Sequence, residues 1–204
     1  MKRWSPIVLL ALLASLVPSS AAAQNERLDR FAFGVGIGLV DLSGSLRDSS
    51  GPVLDDGTET YLTASFRVLL GDRNRARNGK VVVAYLEPEI GYWESSTRIP
   101  VAGGSVESNQ SDLMVGVNII GFVPFPKVDY FFGAGLGIHS FDTGRDLSGL
   151  QLDDDENFGF NVQTGLSGHL SRNVELYGLL RVDLVEDLQE EQAKVVLGLR
   201  FTFG

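Results

Sequence analysis

The chain is 204 residues long, carries 17 basic and 26 acidic residues for a formal net charge of −9, and contains no cysteine. Without cysteine it has no disulfide framework and no thiolate metal site. Because an acidic chain without a basic stripe has nothing to neutralise phosphates, we expect no nucleic-acid partner.

The N-terminal segment has the three-part pattern of a secretory signal peptide. Two basic residues precede an apolar run over 7–17, and three alanines at 21–23 supply small residues for cleavage. The apolar run is shorter than the roughly 20 residues of a transmembrane helix, so we prefer a signal peptide to a membrane anchor. We therefore expect a signal peptide over 1–23 and one domain over 24–204.

After this segment, apolar residues recur with a period of two. In RFAFGVGIGLV the large apolar residues are Phe31, Phe33, Val35, Ile37 and Leu39, and alanine or glycine stands between them. Successive side chains of a strand point to opposite faces, so this pattern predicts a strand with one apolar face. Glycine at this density would cost a helix roughly 1 kcal/mol per residue, so a helix is not expected here.

Segments of this kind follow one another along the chain. Most are longer than an average globular strand and long enough to cross a bilayer as tilted strands. Their number is even, as in bacterial single-chain barrels. The sequence therefore predicts an all-β fold, an eight-stranded antiparallel up-and-down transmembrane β-barrel. The predicted strands cover 31–41, 60–71, 80–93, 110–122, 128–140, 157–168, 173–185 and 192–203.

The connections between these segments alternate in length. Those after the second, fourth and sixth segments are short, whereas those after the first, third and fifth are long and polar. Outer-membrane barrels have short periplasmic turns and longer extracellular loops. We therefore expect both termini in the periplasm and the long connections outside the cell.

The two faces of the predicted strands differ in a way that decides the class of barrel. One face carries large apolar side chains, and the other combines glycine with charged and amide side chains. An eight-stranded barrel is only just wide enough inside for its own side chains, so it cannot hold eight rows of Phe, Leu and Ile. We predict that the apolar face meets lipid and that glycine and paired charges fill the lumen. A lipocalin-like soluble barrel or sandwich, with the opposite orientation, is the alternative. The polar residues expected inside are Arg67, Glu87, Glu89, Asn118, Asn161, Gln163, Glu175, Arg181, Asp183, Lys194 and Arg200.

Aromatic residues concentrate near the ends of the predicted strands. Rings at both membrane interfaces are typical of transmembrane barrels, so we predict two girdles. The girdle on the periplasmic side comprises Phe31, Phe33, Phe122, Phe125, Tyr130, Phe132, Phe201 and Phe203. The other girdle comprises Tyr61, Tyr92, Trp93, Phe141 and Phe158.

The C-terminal stretch VVLGLRFTFG resembles the last strand of the outer-membrane β-barrel family that includes the OmpA-like membrane domain. In that family a glycine is followed at +3 and +5 by hydrophobic or aromatic residues, and Gly198, Phe201 and Phe203 fill these positions. The resemblance implies a small eight-stranded barrel whose last strand is recognised by the outer-membrane assembly machinery. Two residues depart from the family pattern. The sequence ends on Gly204 instead of the aromatic residue, and Val196 stands where a polar residue is usual.

The inward charged residues are the first candidate site. A charge buried without a partner is expensive, so we expect a structural network of ion pairs in the lumen. Glu87 and Glu89 are expected to pair with Arg181 or Lys194. Near the periplasmic end, Glu175 is expected to meet Arg200. Two carboxylates on one strand face would also permit acid–base catalysis, which is the alternative. The predicted network comprises Arg67, Glu87, Glu89, Glu175, Arg181, Asp183, Lys194 and Arg200.

The two histidines are the next candidates. His139 is predicted to point inward near the extracellular end of the fifth strand, beside Ser140. His169 and Ser171 lie in the turn between the sixth and seventh strands. Lipid A deacylases of the barrel class use a histidine, a serine and an acid that face the outer leaflet, whereas this turn is expected on the periplasmic side. We therefore interpret both histidines as rim and turn residues, and predict no catalytic residue.

An acidic run of Asp153, Asp154, Asp155 and Glu156 follows the fifth predicted strand. Carboxylate oxygens are ligands for Ca²⁺ or Mg²⁺, so the run is a candidate metal site. It lacks the alternating ligands and the glycine of a dedicated calcium loop. We favour solvated loop charge, bridged by divalent ions to lipopolysaccharide phosphates, and expect no cofactor.

These observations predict an integral outer-membrane protein and leave its activity open between two classes. The first is a non-enzymatic envelope or surface protein whose packed polar lumen blocks diffusion. The second is a narrow channel or a conduit for hydrophobic small molecules. The expected partners are the lipid bilayer, lipopolysaccharide and the outer-membrane assembly machinery, and we expect a monomer.

Overall fold

The computed structural model describes the barrel strands and the shorter connections between them. The described residues are 30–41, 47–48, 51–52, 58–70, 83–101, 104–123, 125, 128–143, 156–185 and 191–203. The predicted signal peptide at 1–23, the connection at 71–79 and the aspartates at 153–155 lie outside these residues.

Eight strands, named β1 to β8 in chain order, form a closed antiparallel barrel. The strands are β1 (Phe31–Asp41), β2 (Thr58–Leu70), β3 (Val83–Val101), β4 (Gly104–Val123), β5 (Asp129–Thr143), β6 (Glu156–Ser171), β7 (Val174–Val185) and β8 (Glu191–Phe203). Each strand pairs with the next in sequence, and β1 closes the barrel by pairing with β8. A separate short pair joins Arg47–Asp48 to Gly51–Pro52. The predicted eight-stranded up-and-down barrel is confirmed. In the described ranges, no helix is long and apolar enough to cross a membrane.

The two ends of the barrel are defined by the closing strands. We call the end that holds Phe31 and Phe203 the terminal end, because β1 begins and β8 finishes there. The opposite end, which holds Asp41 and Glu191, is the loop end.

The hairpin of β3 and β4 is longer than predicted. The two strands pair through to Val101↔Gly104, so only 102–103 connect them. Among the described residues, their pairing with the neighbouring strands stops earlier, at Trp93 in β3 and Gln110 in β4. The prediction of a long polar connection after the third strand was therefore wrong. Alternate positions near the tip are β-branched, which favours a strand. A two-stranded ladder also gives the backbone N–H and C=O groups hydrogen-bond partners within the protein, whereas in a loop many of them would bond to water.

Apolar side chains face outward and polar side chains face inward, as predicted. The neighbours Asn118 and Ile119 show the contrast, since the first is 1% exposed and the second is 60% exposed. All eight charged residues of the predicted lumen network are buried. Apolar rows of this size would be an aggregation surface in water, so the exterior fits lipid and excludes the soluble-barrel alternative.

The lumen also contains bulky aromatic residues, contrary to the prediction that glycine and polar groups alone fill it. Tyr61, Trp93, Phe131 and Tyr177 are at most 4% exposed. Glycines make room for these rings. A Cβ atom on Gly198, for example, would lie 2.4 Å from ring carbon Cζ of Tyr177. The inward glycines therefore leave parts of the barrel wall without side chains, and aromatic rings pack directly against the backbone there.

Four residues predicted for the girdles belong to this interior instead. They are Tyr61, Trp93, Phe122 and Phe141. Each lies an even number of residues from an inward polar residue on its own strand, so the pleat turns it inward. The girdle prediction holds on the outer face at the terminal end, where Phe31 stacks against Phe66 and Phe203 at centroid distances of 6.0 and 6.3 Å.

Candidate functional site

The buried charges form two clusters of ion pairs. The first, which we call the mid-lumen cluster, consists of Glu89, Arg181, Asp183 and Lys194. Arg181 donates through Nη1 to Glu89 Oε2 at 2.6 Å, and its Nη2 lies 2.7 Å from Asp183 Oδ1. Lys194 Nζ lies 2.8 Å from the other carboxylate oxygen of Asp183. Two negative and two positive charges therefore balance within this cluster.

The contact between Glu89 and Arg181 spans the lumen. Glu89 lies in β3 and Arg181 in β7, which stand on opposite sides of the eight-stranded ring. The Glu89 carboxylate also accepts hydrogen bonds from Thr63 Oγ1 at 2.7 Å and Asn118 Nδ2 at 2.8 Å. The hydroxyl of Tyr61 donates to it at 3.4 Å. One carboxylate therefore connects β2, β4 and β7 in the interior of the barrel.

The second cluster lies closer to the terminal end, and we call it the terminal cluster. It consists of Arg67, Glu87, Glu175 and Arg200. Arg67 contacts Glu87 Oε2 at 2.8 Å through both Nε and Nη2. Arg200 donates to Glu175 at 3.2 Å and lies 3.7 Å from Glu87. At the rim, His169 Nε2 lies 3.4 Å from Glu175. This cluster also combines two carboxylates with two guanidinium groups.

Aromatic rings cover the arginines of the terminal cluster. The guanidinium carbon of Arg67 lies 4.3 Å from the ring centroid of Phe122, and that of Arg200 lies 4.4 Å from the ring centroid of Tyr177. A desolvated cation over an aromatic face is stabilised by about 2 kcal/mol. The inward aromatic residues therefore pack on the charged groups as well as on one another, and Phe122 also stacks on Phe131 at a centroid distance of 5.4 Å.

The observed contacts differ in one respect from the pairings expected from the sequence. Glu89 contacts Arg181 as expected, and the expected carboxylate–arginine contact of the terminal cluster is also present. Glu87 contacts Arg67 instead of Arg181 or Lys194. The reason is the register of β2 and β3, which places Arg67 opposite Glu87 on the neighbouring strand.

A third polar group, at the loop end, was not predicted. Asp112 Oδ2 accepts a hydrogen bond from Trp93 Nε1 at 3.2 Å and lies 2.9 Å from His139 Nδ1. The His139 ring is buried and stacks on Phe141 at a centroid distance of 5.9 Å. Asp112 lies an even number of residues from Asn118 on β4, so the alternation that placed Asn118 inside would also have identified it.

The histidine and the serine of each pair noted in the sequence have different surroundings. His139 is buried, whereas the adjacent Ser140 is exposed on the outer face. At the terminal end, Ser171 is exposed and His169 contacts Glu175. In neither pair does the serine hydroxyl lie on the ring nitrogen, as a nucleophile activated by a base requires.

The structure describes one of the four candidate metal ligands and all three residues of the predicted assembly signal. In the part of the chain that the structure describes, no three His, Cys, Asp or Glu side chains converge as metal ligands. Glu156 begins β6 and is exposed. Phe201 and Phe203 are exposed on the outer face of β8, and Gly198 lies under Tyr177 on its inner face.

Comparisons with known proteins bear on the fold. No protein-family model matches the chain, and no curated protein matches it either. Neisserial surface protein A (NspA) aligns with a TM-score of 0.58 and 14% identity, over 85% of this chain and 97% of NspA. The attachment invasion locus protein Ail of Yersinia pestis, in its complex with the heparin analogue sucrose octasulfate, aligns with a TM-score of 0.53 and 11% identity, over 85% of this chain and 99% of Ail. The outer membrane enzyme PagL aligns with a TM-score of 0.47 and 11% identity, over 84% of this chain and 99% of PagL.

Sequence identities this low show a shared fold alone. NspA and Ail are small eight-stranded barrels of bacterial outer membranes. The present chain closes the same number of antiparallel strands around a charged lumen and exposes an apolar exterior. It therefore has the fold of the small transmembrane β-barrels of bacterial outer membranes.

Proposed function

We propose that the protein is a monomeric, non-enzymatic outer-membrane protein with an envelope or surface role, and that its lumen is closed to diffusing solutes. In this proposal residues 1–23 are removed after Sec-dependent export and both termini lie in the periplasm. The turn between β6 and β7, at 172–173, directly follows barrel strands at the end that holds the termini, whereas at the other end the β3–β4 hairpin extends past its pairing with the neighbouring strands. Short turns at one end and longer extensions at the other support this orientation.

The contact between Glu89 and Arg181 carries the proposal of a closed lumen. It joins opposite walls at 2.6 Å, and the side chains of both residues are at most 3% exposed. A solute crossing the barrel would have to break this pair and leave both charges without partners. Breaking a buried ion pair costs about 3–5 kcal/mol, so the pair is a barrier to passage.

The same contacts support a non-enzymatic role. Glu87 and Glu89 each accept bonds from an arginine, and Glu89 accepts three further bonds from uncharged donors. A general acid or base needs a lone pair or a proton that reaches the substrate. Carboxylates already occupied by cations and buried from solvent fit a structural role better than proton transfer.

The outer surface supports lipid as the main partner. Each of the eight strands carries at least one large apolar residue that is more than a third exposed. We propose that these rows meet the bilayer and the acyl chains of lipopolysaccharide. The outward Phe201 and Phe203 would meet the assembly machinery before the barrel closes.

Conductance in planar bilayers tests the proposal. Purified wild-type protein is compared with the double variant Glu89→Ala/Arg181→Ala, and heat-dependent gel migration shows that both are folded. We expect no steady openings from the wild type and small openings from the double variant, because the cross-lumen pair is gone. Steady wild-type openings would favour a narrow channel or conduit instead.

A further inference from the structure

We propose that the mouth of the lumen at the loop end binds a primary ammonium group, which accepts contacts from the side chains of Glu59, Gln110 and Asp112. The ligand is an organic amine on a slender alkyl chain, supplied by a free amine or by a lysine side chain. The site lies closer to the loop end than Glu89 and Arg181, so it does not depend on whether the lumen conducts.

The strand register brings these three side chains to one patch of the inner wall. Ser95 stands directly opposite Gln110 in the β3–β4 ladder, and its hydroxyl donates to Glu59 Oε1 on β2 at 2.8 Å. Residues that face each other in this way have Cβ atoms about 4.5–5.5 Å apart. Asp112 follows Gln110 by two residues on β4, so it shares the inner face and lies about 7 Å deeper. The oxygen atoms of the three side chains are therefore within reach of one small group.

Two of these oxygen atoms are buried acceptors. Gln110 is 3% exposed and Asp112 is 1% exposed. Within the described residues, Oε1 of Gln110 and Oδ1 of Asp112 have no hydrogen-bond partner. The other carboxylate oxygen of Asp112 already contacts Trp93 Nε1 at 3.2 Å and His139 Nδ1 at 2.9 Å. Because a buried acceptor without a donor is costly, the patch favours a ligand that brings several N–H donors.

The balance of charge on the inner face favours a cation in this position. The inward carboxylates are Glu59, Glu87, Glu89, Asp112, Asp129, Glu175 and Asp183. Apart from the two histidines, the inward cations of the described strands are Arg67, Arg181, Lys194 and Arg200. All four cations contact carboxylates of the mid-lumen and terminal clusters. Among the side chains that the structure describes, Glu59 and Asp112 are therefore left at the loop end without lysine or arginine.

Exposed acidic residues add to this field around the mouth. Glu94 on β3, Asp142 on β5 and Glu156 on β6 all lie at the loop end of the outer face. A cleft surrounded by charges of one sign concentrates counter-ions and guides them inward. Glu59 is half-buried, so it connects this exposed rim with the buried oxygens of Gln110 and Asp112.

The donor requirement favours an ammonium group over a metal ion. A primary ammonium carries three N–H donors, one for each of the three side chains. Calcium prefers six to eight oxygen ligands, more than this patch supplies. The described ranges also contain no three His, Cys, Asp or Glu side chains that converge as metal ligands.

The floor and the width of the mouth agree with a slender cation. Tyr61 and Trp93 face each other one inward step deeper than Glu59 and Ser95. Aromatic faces stabilise cations, and Lys194 Nζ already lies 4.6 Å from the ring centroid of Tyr61. Since an eight-stranded barrel is only just wide enough for its own side chains, we expect an alkyl chain to enter and a bulky substituent to be excluded.

Isothermal titration calorimetry with 1,4-diaminobutane and the purified protein in micelles tests the site. We expect saturable binding, and we expect the N-permethylated diamine to bind at least about tenfold more weakly, because it has the charge but no longer the three N–H donors. Absence of saturable binding of the diamine overturns the proposal, as does equal affinity for its permethylated form. Displacement of the diamine by a lower concentration of calcium would assign the site to a metal ion and would also overturn it.

A matched pair of variants separates a built site from a general attraction of cations to an acidic protein. Glu59→Gln should weaken diamine binding about tenfold, because it removes a charge-assisted contact. Glu156→Gln removes the same charge from the exposed outer face and should weaken binding by less than about twofold, because salt screens exposed charges. Heat-dependent gel migration shows that both variants are folded, and equal losses in the two contradict the proposal.

The source of the ammonium group is distinguished by a second ligand. Nα-acetyl-lysine methylamide presents a lysine side chain on a peptide backbone, and its affinity is measured under the same conditions. A higher affinity for 1,4-diaminobutane supports a free amine, and a higher affinity for the lysine derivative supports a polypeptide partner. Binding of either compound that Glu59→Gln does not weaken would show that the ammonium lies elsewhere.

Discussion

Arg67 and Glu87 contact each other at 2.8 Å across the one place where the β2–β3 ladder is interrupted. Pairing runs without a shift in register from Ser65↔Glu89 to Val68↔Leu86, but the two rungs between are not formed. Pro88 occupies this interval and has no N–H, so the carbonyl of the facing residue on β2 loses its donor. The side-chain pair therefore connects the two strands where the backbone does not.

Removing this side-chain contact is expected to destabilise the barrel strongly. Arg67→Ala should lower the free energy of unfolding by about 3–5 kcal/mol, because Glu87 stays buried without its close cation. The remaining cation, Arg200, lies 3.7 Å away. Urea unfolding in lipid vesicles measures the change. The exposed Thr60→Ala on the same strand is the control, and an Arg67→Ala loss no larger than that of the control contradicts the interpretation.

Restoring the missing backbone donor is expected to have the opposite effect. Pro88→Val returns an N–H to β3 and should stabilise the barrel by about 1 kcal/mol, the net contribution of a hydrogen bond. Pro88 is exposed on the outer face, so valine there meets lipid. Ala84→Val adds apolar volume to the same face without adding a donor. Equal effects of the two substitutions on urea unfolding would show that the missing bond is not the cause.

The close approach of Tyr177 to the barrel wall gives a third prediction. A Cβ atom on Gly198 would lie 2.4 Å from both the ring of Tyr177 and the carbonyl oxygen of Val35. The backbone oxygen cannot move aside, so Gly198→Ala should cost about 1–3 kcal/mol by overpacking. Unassisted refolding into vesicles measures this packing effect apart from any role in assembly. The outward Ala193→Val on the same strand should be nearly neutral, and a comparable loss there would argue against a specific clash.

The alternation of residues along each strand was sufficient to predict the barrel and the face of each strand that points outward. The same alternation also identifies inward aromatic residues that we predicted for the girdles. Trp93 has the same parity as Glu89 on β3, and Tyr61 has the same parity as Arg67 on β2, so both were identifiable as inward. We assigned them to girdles because they lie near strand ends. Position along a strand sets depth, whereas parity sets the face.

The partners of the lumen charges were harder to predict, because pairing depends on register and on reach across the barrel. Alternation says that Glu87 and Glu89 both point inward. It does not say that Glu87 faces Arg67 on the neighbouring strand while Glu89 reaches Arg181 on the opposite wall. The register in turn depends on connections such as 71–79, whose length the sequence shows but whose geometry it does not.

Substitutions at Glu89 and Arg181 test whether the charges of these two residues stabilise each other or only lie in a polar interior. The variant Arg181→Met leaves Glu89 buried without a cation and should cost about 3–5 kcal/mol, and Glu89→Leu leaves Arg181 with Asp183 alone. In the double variant neither charge is stranded, so its loss should be smaller than the sum by about 1–3 kcal/mol. Urea unfolding of the four proteins in vesicles gives this coupling energy. Strictly additive losses would mean that the 2.6 Å contact does not hold the opposite walls together, and the lumen would then need another explanation for its closure.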